Sequence, residues 1–109
     1  MSYDFSIKTD ECSSCGRYDE HEGLNYTANV FPMFRLALGG NGVYQLTKMR
    51  APEAIALLDR AIEDMDKNPE KYEALNPSNG WGNLGGARMC LMTIRHWFNK
   101  YPDGTLIVE

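Results

Sequence analysis

Two cysteines and a histidine near the start of the chain combine residue types and a spacing that could bind zinc. Cys12 and Cys15 are separated by two residues, Gly16 follows them, and His21 lies six residues beyond the second cysteine. Two thiolates at this spacing can bind one tetrahedral Zn²⁺, and a glycine suits the turn that surrounds the metal. The complete zinc signature repeats the cysteine pair, so a fourth ligand would have to come from elsewhere in the fold. The candidates for that ligand are Cys90, His96, Asp19 and Glu20.

The cysteine pair also has two interpretations that need no metal. A thioredoxin-like redox pair lies at the start of a helix that follows a strand, and the sequence around Cys12 gives little sign of that arrangement. Two reduced thiols in a surface loop require no further residues, and we rank this interpretation first. The odd number of cysteines, three, argues against a disulfide framework.

A glycine-rich segment, Asn76–Gly86, could bind an anion or a nucleotide. It leads into a predicted helix, whose free N–H groups and positive dipole end attract phosphate, and its tryptophan could stack on a base. The candidate ligand-binding residues of this segment are Asn79, Trp81, Asn83, Gly85 and Gly86. Their spacing matches neither of the phosphate-binding motifs GxGxxG and GxxxxGK(S/T). We therefore favour a structural interpretation, in which the glycines allow tight turns, Asn83 caps the helix and Trp81 packs over the edge of the core.

Three polar residues at alternate positions, Asn25, Thr27 and Asn29, would project from the same face of a strand. This polar row could bind a polar ligand or form hydrogen bonds with the loop at Asn79. Such residues more often face solvent or form caps, so the ligand-binding interpretation is the weaker one.

The sequence nominates no catalytic mechanism. His21 and His96 are the only histidines, and neither has a serine or cysteine arranged nearby as a nucleophile. The sequence therefore leans against an enzyme. His96 shares one side of a predicted helix with Met89 and Met92, which fits packing or an interface, so a homo-oligomer is one alternative.

The elements that must position these residues follow from the spacing of apolar side chains. Alternation of apolar and polar residues predicts a first strand over Tyr3–Lys8, and the polar stretch Thr9–Gly23 predicts a loop after it. A residue spacing of three or four predicts two long helices, at about 52–67 and 84–101, and Pro32 begins a short helix near 32–38. The remaining predicted elements are a second strand over Leu24–Phe31, further helical turns over Pro69–Leu75 and a last strand over Thr105–Val108. The predicted fold is α+β, with a small antiparallel or mixed sheet from both chain ends, packed by the two main helices in one domain, 1–109.

Composition and charge narrow the functional class. The chain has 109 residues, of which 43% are apolar, and its 11 basic and 15 acidic side chains give a net charge of −4. The basic residues form no stripe of the kind that a duplex requires, which argues against nucleic acid as a partner. No apolar run approaches the roughly 20 residues of a membrane span, and the first residues lack the pattern of a secretory signal. We therefore expect a cytoplasmic protein with no membrane partner.

Several motifs together resemble a group of small proteins of unknown activity from bacteriophages and some bacteria. The motifs are Asn25–Phe34, Pro52–Ala54, Leu75–Asn83 and Tyr101–Thr105, and the resemblance extends from about Tyr3 to the end of the chain. The resemblance implies that a phage or prophage encodes the protein. It would therefore act in the cytoplasm of an infected host bacterium. Members of the group differ around the cysteine pair, so a metal there would be an addition to the shared fold.

The leading functional hypothesis is a non-enzymatic binding protein, encoded by a phage, that engages a host protein or a small ligand. A host-modulating or counter-defence role belongs to this class. The first alternative is a small nucleotide- or anion-binding protein or enzyme that uses Asn76–Gly86. The second is a zinc-stabilised structural module built on Cys12, Cys15 and His21.

Overall fold

Apolar residues at every second position make the first strand the centre of a three-stranded antiparallel sheet. The computed structural model describes residues 2–109, in which β1 is Ser2–Thr9, β2 is Asp19–Thr27 and β3 is Thr105–Val108. The strand order is β2-β1-β3, so both chain ends meet in one sheet. Ile7 of β1 lies opposite Leu106 of β3, which confirms the predicted pairing of the last strand with an N-terminal strand.

The helices follow the predicted apolar stripes closely. They are α1 (Phe31–Leu38), α2 (Ala51–Lys67), the short α3 (Pro69–Glu73) and α4 (Leu84–Lys100). The stripes of α2 and α4 are buried and the two helices pack together. Their buried residues share one core cluster with Tyr3, Phe5 and Ile7 of β1. The α+β class and both main helices are therefore confirmed, and none of the helices within residues 2–109 has the length and apolar character to cross a membrane.

The second strand differs from the prediction at both ends. The loop predicted to run to Gly23 already ends at Asp19, which lies opposite Thr9 in the hairpin. No residue of β2 is fully buried, so backbone pairing with β1 forms the strand without an apolar pattern. The strand was predicted to reach Phe31 but ends at Thr27, whose hydroxyl accepts a hydrogen bond from the Asn29 amide and so begins a 3₁₀ turn, Ala28–Val30.

A second 3₁₀ helix, Gly42–Lys48, lies between α1 and α2, in a stretch for which the sequence analysis predicted no element. The side-chain amide of Gln45 donates hydrogen bonds to the carbonyls of Leu38, Gly39 and Gly42. These contacts hold the end of α1 against the 3₁₀ helix. Val43 and Leu46 are buried in the core, while Tyr44 is left on the surface beside α1.

Candidate functional site

The N-terminal part of α1 and the 3₁₀ helix after it form the walls of a cavity of about 370 Å³. Buried Tyr3 and Phe34 lie at its base, with ring centroids 5.8 Å apart. Phe31 is 47% exposed and Tyr44 is 48% exposed, so these two rings form the rim. We call this cavity the aromatic pocket; its lining includes the aromatic Tyr3, Phe31, Phe34 and Tyr44 and the polar Asn29, Arg35 and Asn41.

The polar groups of the aromatic pocket are few and point to a definite charge preference. Six ion pairs form within residues 2–109, and none of them includes Arg35. By contrast, Arg88 and Arg95 are each bound to an aspartate of α2. Burial, together with Tyr44 and Cys90, raises the pKa of Tyr3 from 10.0 to about 12, so its hydroxyl stays neutral even in mildly alkaline solution. The lining thus combines aromatic rings with the guanidinium of Arg35 and the side-chain amides of Asn29 and Asn41.

A second, shallower depression continues the same surface on the other side of Phe31. Its lining includes Pro32, Leu36 and Leu75, and it shares Phe31 and Arg35 with the aromatic pocket. Leu36 is 45% exposed. Isolated exposed apolar residues are ordinary, whereas a contiguous group beside a cavity is typical of a binding surface.

The sequence did not single out the aromatic pocket, although α1 contains a signal for it. All residues of this helix except Arg35 are apolar or proline, which is more than one core-facing stripe requires. The surplus residues, Phe31 and Leu36, are the ones that the structure leaves exposed. Tyr3 and Tyr44 could not be assigned to the same place, because they come from different segments.

The predicted polar row of Asn25, Thr27 and Asn29 does not form, because β2 ends before Asn29. Asn25 donates a hydrogen bond to the Asp4 carboxylate on the neighbouring strand, at 2.7 Å. Thr27 caps the 3₁₀ turn through its hydroxyl. Of the three residues, Asn29 alone lines the aromatic pocket.

In the glycine-rich segment, two of the first three helix amides already donate to side chains. Gly86 donates its N–H to the side chain of Asn83 at 2.8 Å, and Leu84 donates to the side chain of Asn76 at 3.1 Å. The predicted cap at Asn83 is therefore confirmed. These side-chain oxygens occupy the positions that an anion would take.

Close approaches of Tyr26 and Thr27 explain two of the glycines without a ligand. A Cβ on Gly86 would lie 1.9 Å from the Tyr26 hydroxyl oxygen, and one on Gly82 would lie 2.6 Å from a methyl of Thr27. Gly82 also has a φ of +95°, which strains other residues. A Cβ on Gly85 would lie no closer than 3.4 Å to Asn83, so that glycine has no comparable requirement.

Trp81 does not pack over the core edge as predicted. Its side chain is 64% exposed, and its backbone N–H donates a hydrogen bond to Asn79 at 2.9 Å. Trp81 lies in a turn between Gly80 and Gly82, which both have positive φ. In this turn its ring lies outside the core.

The cysteine pair lies in the exposed loop between β1 and β2, Asp10–Tyr18, which we call the hairpin tip. The Cys12 amide donates to the Arg17 carbonyl at 2.7 Å, and the Gly16 amide donates to the Cys12 carbonyl at 2.8 Å. Hydrogen bonds, first from the backbone amide and side chain of Cys15 and then from Ser14, lower the pKa of the Cys12 thiol to about 7. The turn therefore stabilises a thiolate at Cys12.

The residues suggested as further metal ligands are not gathered at the hairpin tip. His21 stacks on Tyr101 with ring centroids 4.7 Å apart, and its Nε2 lies 2.9 Å from the Thr9 hydroxyl. Cys90 is buried in the core, which raises its pKa to about 12. Over residues 2–109, no set of three or more His, Cys, Asp or Glu side chains is placed to hold one metal ion.

No protein-family model, no curated protein and no solved structure matches this chain.

Proposed function

We propose that this protein is a non-enzymatic binding protein and that the aromatic pocket holds an apolar or aromatic side chain of a partner protein. The observation that carries the proposal is the pair of half-exposed rings, Phe31 and Tyr44, above the buried rings of Tyr3 and Phe34. Exposing aromatic surface costs free energy in water, so a partner that covers these rings gains binding energy.

The composition of the surface favours a protein partner. Aromatic residues and arginine are enriched among the residues that dominate protein–protein binding. Here Arg35 lines both the aromatic pocket and the shallower depression that contains Leu36. Because no acidic residue of 2–109 forms an ion pair with Arg35, a carboxylate of the partner can pair with it. We therefore propose a partner segment with an aromatic or branched apolar residue next to an acidic one.

The resemblance to phage proteins directs the proposal to a host protein, and that identity stays a prediction. A small ligand with the same chemistry, an aromatic ring that bears a carboxylate, is the second candidate. The favouring observation is the volume of the pocket, about 370 Å³, which lies within the usual size range of small-molecule sites.

Capture from a bacterial lysate, with matched variants, tests the protein partner. Tyr44→Ala and Phe31→Ala each remove a ring of the rim, while Trp81→Ala removes an exposed ring that does not line the pocket. We expect a protein that the wild type and Trp81→Ala retain and that both rim variants lose, because truncating an aromatic ring that packs against a partner costs about 2 kcal/mol or more where that ring is a hot spot. A captured protein that the rim variants retain equally would contradict the proposal, as would failure of the wild type to capture any.

Binding of small probes tests the charge preference separately. We expect 3-phenylpropionate, an aromatic anion, to shift the backbone NMR signals of Asn29 and Gly42, and phenethylamine, its cationic counterpart, to shift them less. Arg35→Gln should remove the difference between the probes while leaving the fold intact, since Arg35 is exposed. Equal responses to the two probes in the wild type would show that Arg35 does not contribute to ligand binding in the aromatic pocket.

A further inference from the structure

We propose that the hairpin tip forms half of a zinc site, and that the tips of two copies of this chain together bind one Zn²⁺ through four cysteine thiolates. This inference concerns a surface away from the aromatic pocket and is independent of the proposed function. It also differs from a zinc site within one chain, because it assigns no role to His21.

The local geometry of the tip suits a metal. Cys12 and Cys15 belong to one tight turn, closed by the hydrogen bond from the Gly16 amide to the Cys12 carbonyl. Gly16 has a φ of +76°, and a Cβ at this position would have nothing within 4 Å, so the backbone conformation and not packing requires a glycine here.

The number of ligands determines the need for a second copy. Structural zinc is almost always four-coordinate, whereas the tip supplies two thiolates and residues 2–109 bring no third ligand to them. His21 is held on the sheet by Thr9 and Tyr101. A two-fold axis through the metal would supply the same two cysteines again, which completes a Cys₄ set with closed symmetry.

The tip is accessible to a second copy. All residues of Asp10–Tyr18 are exposed except Cys12, which is half-buried. The acidic side chains nearby are partly compensated, since Lys8 pairs with Glu11 at 2.5 Å. Repulsion between two tips is further limited because salt screens exposed charges over about 8 Å at physiological ionic strength.

The binding step balances without an oxidant or reductant. Four thiols and one Zn²⁺ give one tetrathiolate complex and release four protons, with four Zn–S bonds formed and four S–H bonds broken. The affinity must therefore rise with pH.

Cobalt titration combined with a mass measurement tests the proposal on the full, reduced chain. We expect Co²⁺ to develop the absorption of tetrahedral thiolate coordination and to saturate at one ion per two chains. Zn²⁺ should displace it, and the mass in solution should rise from one 12.3 kDa chain to twice that mass. A chelator should reverse both changes.

Three variants make the result decisive. Cys12→Ser and Cys15→Ser should each abolish metal binding and dimer formation, with unchanged helical circular dichroism because the tip is exposed. His21→Ala should bind metal as the wild type does. The proposal is overturned by one ion per monomeric chain, by loss of binding in His21→Ala, by a dimer that persists without metal or in the cysteine variants, or by no metal binding at all.

Discussion

The contact between Gly86 and Tyr26 joins the start of α4 to the end of β2. The Tyr26 hydroxyl accepts a hydrogen bond from the Asn83 amide at 3.2 Å, and its oxygen lies where a Cβ of residue 86 would be. The absence of a side chain at Gly86 therefore lets a tyrosine cap the helix from outside. The neighbouring Gly85 has no such contact. Comparing the two positions therefore separates the effect of packing against Tyr26 from the effect of the conformational flexibility of glycine.

Replacing each glycine by alanine should give opposite results. We expect Gly86→Ala to lower the free energy of unfolding by about 1–3 kcal/mol, because the tyrosine must move. Gly85→Ala should leave stability unchanged or raise it by up to about 1 kcal/mol, because alanine favours the helix. Urea denaturation of both variants measures the difference. Equal stability of Gly86→Ala and the wild type would show that the Tyr26 contact is not maintained in solution.

The α2–α3 connection is organised by one carboxylate. Asp64, in the last turn of α2, accepts hydrogen bonds from Lys71 at 2.7 Å, from the hydroxyl of Tyr72 and from the side chain of Asn68 at 2.8 Å. These donors, Lys71 first, lower the pKa of Asp64 from 3.8 to about 2. The ring of Tyr72 is fully buried, so the carboxylate fixes α3 by satisfying the hydroxyl of a core residue.

Stability should therefore depend on pH through Asp64. Its pKa is lower in the folded state, so its contribution is present above the ordinary pKa of 3.8 and is lost as pH falls through about 2. We expect Asp64→Asn to be less stable than the wild type at neutral pH and to lose less stability between pH 4 and pH 2. Thermal unfolding across this range measures it.

Tyr72→Phe provides the matched control for Asp64, because it removes one donor and keeps the buried ring. It should reduce the pH dependence only in part, since Lys71 and Asn68 remain as donors. If Asp64→Asn shows the same pH dependence as the wild type, the carboxylate has no stabilising partners in solution.

The elements that the sequence predicted well are those whose own side chains carry the periodic signal. Each of the two long helices and of the strands at the two chain ends buries apolar residues along one face, as the pattern predicted. The boundaries of β2 were wrong because its pairing partner, and not its own pattern, forms it. The 3₁₀ helix Gly42–Lys48 was missed because it depends on the contacts of one side chain, Gln45.

The candidate site was predicted less well than the fold, for a physical reason. Asn83 was recognisable because a cap acts on its own helix, within a few residues. The aromatic pocket combines Tyr3 from β1, Phe34 from α1 and Tyr44 from the 3₁₀ helix. Because these rings come from different segments, no local sequence pattern predicts that they lie together. The two cysteines lie in the loop that the sequence predicted, where they share one turn, whereas the place of His21 depended on the register of the hairpin.

At the scale of the whole molecule, one core connects the two ends of the chain. Leu106 of β3 is 2% exposed and belongs to the same cluster as Trp97 of α4, which is 3% exposed. The ion pairs Arg88–Asp66 and Arg95–Asp59 also connect α2 and α4, but their side chains are partly exposed and such pairs contribute little. The shared apolar core must therefore provide most of the cooperativity.

Truncation of Leu106 tests whether this core unfolds as one unit. We expect Leu106→Ala to lower the free energy of unfolding by about 2–5 kcal/mol, whereas Ile107→Ala, at a half-buried position, should cost much less. In a Trp81→Phe background, fluorescence reports Trp97 alone and circular dichroism reports all helices. Because α4 and β3 share the core, Leu106→Ala should shift both transitions to the same lower denaturant concentration. A fluorescence transition that stays in place while the other moves would mean that the C-terminal strand separates from a core that remains folded around α4.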